Sequence, residues 1–137
     1  MKIDRRVYKY IEYEMYHYIE YKKEIANIRE EILEGSPEPP DGQPRGSGTG
    51  NPTERKALKL SMSIGYAAME KTVSAIDSAL SMLTERHRKI FEMIYIRKRK
   101  DRYSMSDDLY ISYDTLNRNK NEIVVMVGRE LGVIKEF

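Results

Sequence analysis

The chain has no cysteine and no tryptophan, and only two phenylalanines and two histidines among 137 residues. Without cysteine there is no disulfide, no thiol nucleophile and no thiolate zinc site. The two histidines, His17 and His87, lie far apart in the chain, so a histidine-rich metal site is not expected. Neither a metal nor a cofactor is expected. No apolar run approaches the ~20 residues that span a bilayer, so no membrane partner is expected. Met1 to Arg6 are not followed by the apolar core of an export signal. A net charge of +2 is too small to indicate a nucleic-acid partner by itself. There is no phosphate-cradling glycine motif and no Ser/His/Asp order. The adjacent Asp107 and Asp108 would point to different sides of a helix. Enzymatic activity is therefore not expected.

Proline is absent outside one stretch. All five prolines and five of the eight glycines fall between Gly35 and Pro52. Such a stretch holds neither a helix nor a central strand, and reads as a connector. It separates two long periodic segments. In residues 1–34, Val7, Ile11, Tyr18, Tyr21, Ile25, Ile28 and Ile32 recur at steps of three and four, with Glu14 the one misfit. This is the seam of a coiled coil, and predicts one continuous helix over 3–34 that Gly35 and Pro37 stop. After the connector, Asn51 can cap a helix, Pro52 suits its first position, and Glu54 suits a capping box. In residues 53–83, Met62, Tyr66, Met69, Val73, Ile76, Leu80 and Leu83 form a second such series. Two helices of about 45 Å joined by one connector predict an antiparallel hairpin. A lone hairpin buries little surface, so both seams are expected to serve self-association, as a dimer or a higher assembly.

Residues 84–137 read differently. Thr84 can cap a helix with Ile90, Phe91, Ile94 and Tyr95 on one face, running into Arg97-Lys98-Arg99-Lys100. Between 84 and 102 there are eight Lys/Arg against three Asp/Glu, net +5. Two short helical pieces follow, the first roughly Ser104 to Tyr110, the second beginning at Ser112. Met105, Ser106 and Leu109 stand seven, six and three residues before Ser112. A helix-turn-helix places an apolar, a small and an apolar residue there, the small one letting the helices cross closely. Leu116 is the first core anchor of the second helix. Two residues before Ser112 the backbone is expected to turn left-handed, a place suited to glycine. Here it is Tyr110, which costs roughly 1 kcal/mol or more. Either the turn is reshaped or the register is off by one.

Leu83-Thr84-Glu85-Arg86, followed by Arg88 to Tyr95, resembles the first helix of the region-4 module of sigma factors. Over nearly all 137 residues the order of segments resembles the RinA/ArpU-type late-transcription regulators of phages infecting Gram-positive bacteria. The tightest matches are Asn51-Pro52-Thr53 with the basic run after it, Leu83 to Tyr95, and Ile111 to Leu116. The resemblance implies a DNA-binding activator of phage late genes, acting in the bacterial host cytoplasm. The expected fold is all-α: a long N-terminal coiled-coil-like hairpin plus a C-terminal helix-turn-helix similar to sigma region 4.

In a recognition helix the first turn and the outward face beyond it meet base edges. That selects Tyr113, Asp114, Asn117, Arg118 and Asn121, with Lys120 nearer the backbone. Arginine can pair with guanine and asparagine with adenine. Ser112, Arg97, Lys98, Arg99, Lys100 and Arg102 are candidate phosphate contacts. Asp107, Asp108 and Asp114 repel phosphate, and could instead meet a basic surface such as host RNA polymerase. The expected function is a sequence-specific transcription regulator on double-stranded DNA. Two alternatives stand beside it. One is a phage small terminase subunit, although there the DNA-binding module usually comes first. The other is a helical interaction protein that no longer binds DNA. Six of the 11 tyrosines lie between Tyr8 and Tyr21, too widely spread for one seam, which points to a helix contacted on more than one side.

Overall fold

A computed structural model describes residues 3–33 and 52–135, with side chains over 3–31 and 62–135. Every element among them is helical. The expected helix stop at Gly35 and Pro37, the Asn51 cap and the side chains of Ile32 and Glu54 lie outside the described residues.

Asp4 opens α1 (Arg5–Tyr16), its carboxylate accepting the Arg6 N–H at 2.8 Å. The helix expected over 3–34 is interrupted. At His17 the backbone relaxes to φ −97°, ψ 3°, and α2 (Tyr18–Leu33) begins one residue later. The His17 N–H is shared between the Tyr13 and Glu14 carbonyls at 3.2 Å each. Its ring nitrogen Nδ1 lies 2.8 Å from the same Tyr13 oxygen. A side chain competing for an i−4 carbonyl loosens the helical ladder at that point. The seam misfit Glu14 is buried beside this break, where it accepts from the Tyr21 hydroxyl and from Thr72 Oγ1, both at 3.1 Å.

Pro52 opens α3 (Pro52–Ser81). It passes α2 in the opposite direction: the Tyr18 hydroxyl donates to Asp77, and Arg29 Nε donates to the Tyr66 hydroxyl at 2.7 Å. Thr84 caps α4 (Glu85–Phe91), with His87 Nδ1 accepting back from the Thr84 N–H. A π-helical turn, Glu92–Ile96, extends α4 and ends at Arg97, ahead of a left-handed Lys98. Asp101 caps α5 (Arg102–Leu109) through the Tyr103 and Ser104 N–H groups. Ser112 caps α6 (Tyr113–Leu131) through the Thr115 N–H at 3.1 Å.

One apolar core joins these helices. It holds Ile11, Met15 and Tyr18 from α1 and α2, and Ile76 and Ala79 from α3. Ile90, Phe91, Ile94, Tyr95, Met105, Leu116, Ile123, Val124 and Val127 complete it. Phe91 meets the edge of Tyr18 at 5.5 Å, and Tyr95 lies 5.4 Å from Phe91 and 4.8 Å from Tyr16. The residues assigned to self-association are therefore largely spent within the chain. Ile11, Tyr18, Ile25 and Ile76 are buried, and Val7, Tyr21, Ile28, Tyr66, Met69, Val73 and Leu80 are half-buried. Only Met62 of that set is exposed. A heptad seam buries apolar area equally well against a neighbouring helix of its own chain. Here Ile11, Tyr18 and Ile76 meet core residues from 90–127, and α2 and α3 pack on each other. The N-terminal helices and the C-terminal segment are thus packed as one body.

Candidate nucleic-acid interface

The α5–α6 connection is three residues long and built from local chemistry. Tyr110 adopts φ 56°, ψ 41°, the left-handed conformation expected two residues before Ser112. The Tyr110 N–H donates to the Asp107 carbonyl at 3.1 Å and the Ile111 N–H to the Ser106 carbonyl at 3.0 Å, the Schellman closure of a helix end. Met105, Ser106 and Leu116 are all buried, Met105 and Leu116 within the common core.

Tyr113, Asp114, Arg118 and Asn121 stand exposed on α6, with Asn117 half-buried among them. Tyr113 stacks on Tyr103 of α5 with ring centres 4.5 Å apart. Arg118 lines an open groove between α4 and α6 together with His87 and Glu122, which are themselves joined at 3.0 Å.

Lys120 is a correction. Its side chain does not reach toward a DNA backbone but is buried, with Nζ 3.3 Å from Glu12 Oε2 and 5.4 Å from the Tyr8 ring centre. Loss of water lowers the ammonium's proton affinity below its ordinary value, against the opposing pull of Glu12. The reason was present in the spacing: Lys120 follows Leu116 by four residues and precedes Ile123 by three, which keeps it on the core face. Glu12 Oε2 also accepts the Tyr95 hydroxyl at 2.7 Å, so α1, α4's extension and α6 meet at one carboxylate. The adjoining Tyr8 hydroxyl donates to Asn121 Oδ1 at 2.7 Å. Sequence reasoning missed Tyr8, Glu12 and Tyr95 as neighbours of the candidate interface. The signal for Tyr8 and Glu12 was the four-residue step from Tyr8 to Glu12 to Tyr16 along one face of α1, and for Tyr95 its place on the face with Ile90, Phe91 and Ile94.

The basic run is paired with surface carboxylates. Arg97 reaches Glu92 at 3.2 Å, Lys98 reaches Glu20 at 2.9 Å, and Arg99 reaches Asp108 at 3.0 Å and Ser104 Oγ at 2.9 Å. Lys98 holds the Glu20 carboxyl below its ordinary value. Arg102 donates to Asn117 Oδ1 at 3.0 Å, and Lys100 is exposed. Exposed pairs of this kind contribute about 0–1 kcal/mol, so a phosphate can replace the carboxylate at little cost. Among the described residues no group of three or more acidic or histidine side chains could hold a metal ion. No described helix is long and apolar enough to cross a membrane. Comparison with protein-family models, with curated proteins and with solved structures found no match.

Proposed function

We propose that the chain is a sequence-specific DNA-binding transcription regulator, with α5 and α6 as its helix-turn-helix and α6 as the reading helix. The observation that carries this reading is the connection between them. A left-handed residue closes α5, a serine caps α6, and the small residue six positions before that cap, Ser106, is buried. The polar face of α6 that this turn leads into holds Tyr113, Asp114, Arg118 and Asn121, side chains of the kinds that contact base edges. Lys100, and Arg97, Lys98 and Arg99 by exchange of carboxylate for phosphate, serve as backbone contacts. With the resemblance to RinA/ArpU-type regulators, the reading extends to an activator of phage late genes in the host cytoplasm. Asp107 is then the acidic side chain offered to RNA polymerase. Self-association, on this reading, uses side chains that the core leaves out: Tyr10, Tyr13, Met62 and Ile64.

Fluorescence anisotropy with promoter duplexes from ahead of phage late genes, against scrambled duplexes, tests the proposal. The expected result is tighter binding to the promoter, weakening as salt rises, with a roughly tenfold loss for Arg118→Ala. Equal affinity for promoter and scrambled DNA overturns it.

A further inference from the structure

Two amides stand one helical turn apart on α6, and both are held by the oxygen. Asn121 Oδ1 accepts the Tyr8 hydroxyl of α1 at 2.7 Å. Asn117 Oδ1 accepts Arg102 Nη1 of α5 at 3.0 Å. Neither Nδ2 has a hydrogen-bond partner among the described residues. Two flanking helices thus impose the same polarity on the middle of α6, with acceptor ends satisfied inside the protein and donor ends left over. Both locks are durable. Burial, and then the charge of Glu12, push the Tyr8 hydroxyl up to about 12, so it stays a proton donor at neutral pH. The Arg102 guanidinium has donors and no acceptor, so it can meet only the oxygen end of the amide.

We infer that Tyr8 and Arg102 are positioning residues that bias Asn121 and Asn117 toward donating, so that α6 selects base edges rich in acceptors, guanine above adenine. The inference rests on the DNA-reading proposal. Adenine recognition by asparagine uses both ends of the amide: Oδ1 accepts from the N6 amino group while Nδ2 donates to N7. A carbonyl oxygen has two lone pairs, so an engaged Oδ1 can still accept. It does so with density already shared, whereas Nδ2 keeps its full donor strength. Guanine offers N7 and O6, two acceptors side by side, and asks nothing of Oδ1. Arg118, between the two amides in sequence, is also a guanine-pairing side chain. The expectation that these asparagines pair with adenine is therefore replaced by its opposite.

The experiment is selection of bound duplexes from a random library, followed by sequencing, with the full wild-type chain and with Tyr8→Phe. Phenylalanine keeps the ring and removes only the donor, and circular dichroism checks that the helices are intact. The wild-type chain is expected to enrich guanine over adenine at the contacted positions. Tyr8→Phe is expected to move the guanine-to-adenine ratio about five- to tenfold toward adenine at one position and leave the others unchanged. In the free protein, the side-chain amide resonances of Asn121 should shift in Tyr8→Phe, while those of Asn119 should not. A selected site that Tyr8→Phe leaves identical at every position overturns the inference and spares the DNA reading. No enrichment by the wild-type chain overturns the DNA reading and the inference with it.

Discussion

The Glu12 carboxylate of α1 lies 3.3 Å from the Lys120 ammonium of α6, and the two side chains are only 18 % and 11 % exposed. The same carboxylate oxygen accepts the Tyr95 hydroxyl. Removing the anion leaves a largely enclosed ammonium without a counter-charge and a buried hydroxyl without an acceptor. Glu12→Ala is therefore expected to destabilise the fold by roughly 3 kcal/mol, the lower end for breaking a buried pair. Glu12→Gln should cost less, because an amide oxygen can still accept from Tyr95. Urea unfolding of the two variants measures the difference, and a Glu12→Ala midpoint equal to wild type would show the ammonium to be well solvated.

Stability should fall at alkaline pH. The Tyr8 hydroxyl is raised from 10.0 to about 12, first by burial and then by Glu12. Burial also raises Tyr18, Tyr21 and Tyr95, reinforced by Asp77 for Tyr18, by Glu14 for Tyr21 and by Glu12 for Tyr95. A group whose folded value lies above its unfolded one stabilises fully below the unfolded value and loses that contribution on passing through the folded one. Stability is thus complete up to about pH 10 and declines toward pH 12 and beyond. Tyrosinate absorbance followed together with circular dichroism should show these four rings ionising as the helices melt. Ionisation of all 11 tyrosines with the helices unchanged would contradict it.

Tyr110 is left-handed and 95 % exposed, so its ring contributes little to the core while its Cβ is strained. Tyr110→Gly relieves that strain, worth roughly 1–2 kcal/mol, against the entropy glycine adds to the unfolded chain, about 0.5–1 kcal/mol. A net gain of about 0.5–1 kcal/mol is expected, seen as a Tm several degrees higher. An unchanged or lower Tm would mean that the tyrosine ring holds the turn in a way its exposure does not suggest.

The parts legible in the sequence are those governed by neighbours along the chain. Thr84 and Ser112 are caps because a hydroxyl facing the next turn's N–H is a local fact. The Met105, Ser106 and Leu116 pattern is short-range as well, and Tyr110 is left-handed at the position it implies. What did not show was which surface each stripe meets. Ile11, Tyr18 and Ile76 carry the same spacing whether the partner is α6 or a second copy, and the choice is made by long-range packing. The His17 break left one sign, the seam misfit at Glu14, while nothing in the helix propensity of its neighbours opposes a continuous helix. Lys120 was legible and was missed: its charge suggested solvent, while its spacing from Leu116 and Ile123 put it inward.

Gly128 is the contact point that lets α1 lie against α6. A Cβ there would come within 2.6 Å of Ile11 Cδ1 and 2.4 Å of Ile134 Cδ1. Alanine in a helix interior gains about 1 kcal/mol over glycine, while overpacking costs about 1–3 kcal/mol. Gly128→Ala should therefore be neutral to mildly destabilising instead of stabilising, and Gly128→Val clearly worse. Ile11→Val removes one of the two offending methyls, at its own cost of about 1 kcal/mol, and leaves that of Ile134. In the double variant the two changes are expected to compensate in part, because the alanine methyl occupies space the isoleucine gave up while Ile134 still has to shift. Chemical unfolding of the four proteins of this cycle gives the coupling directly. Strictly additive effects would mean that Ile11 and residue 128 do not share that space, and that α1 is not seated on α6 at this point.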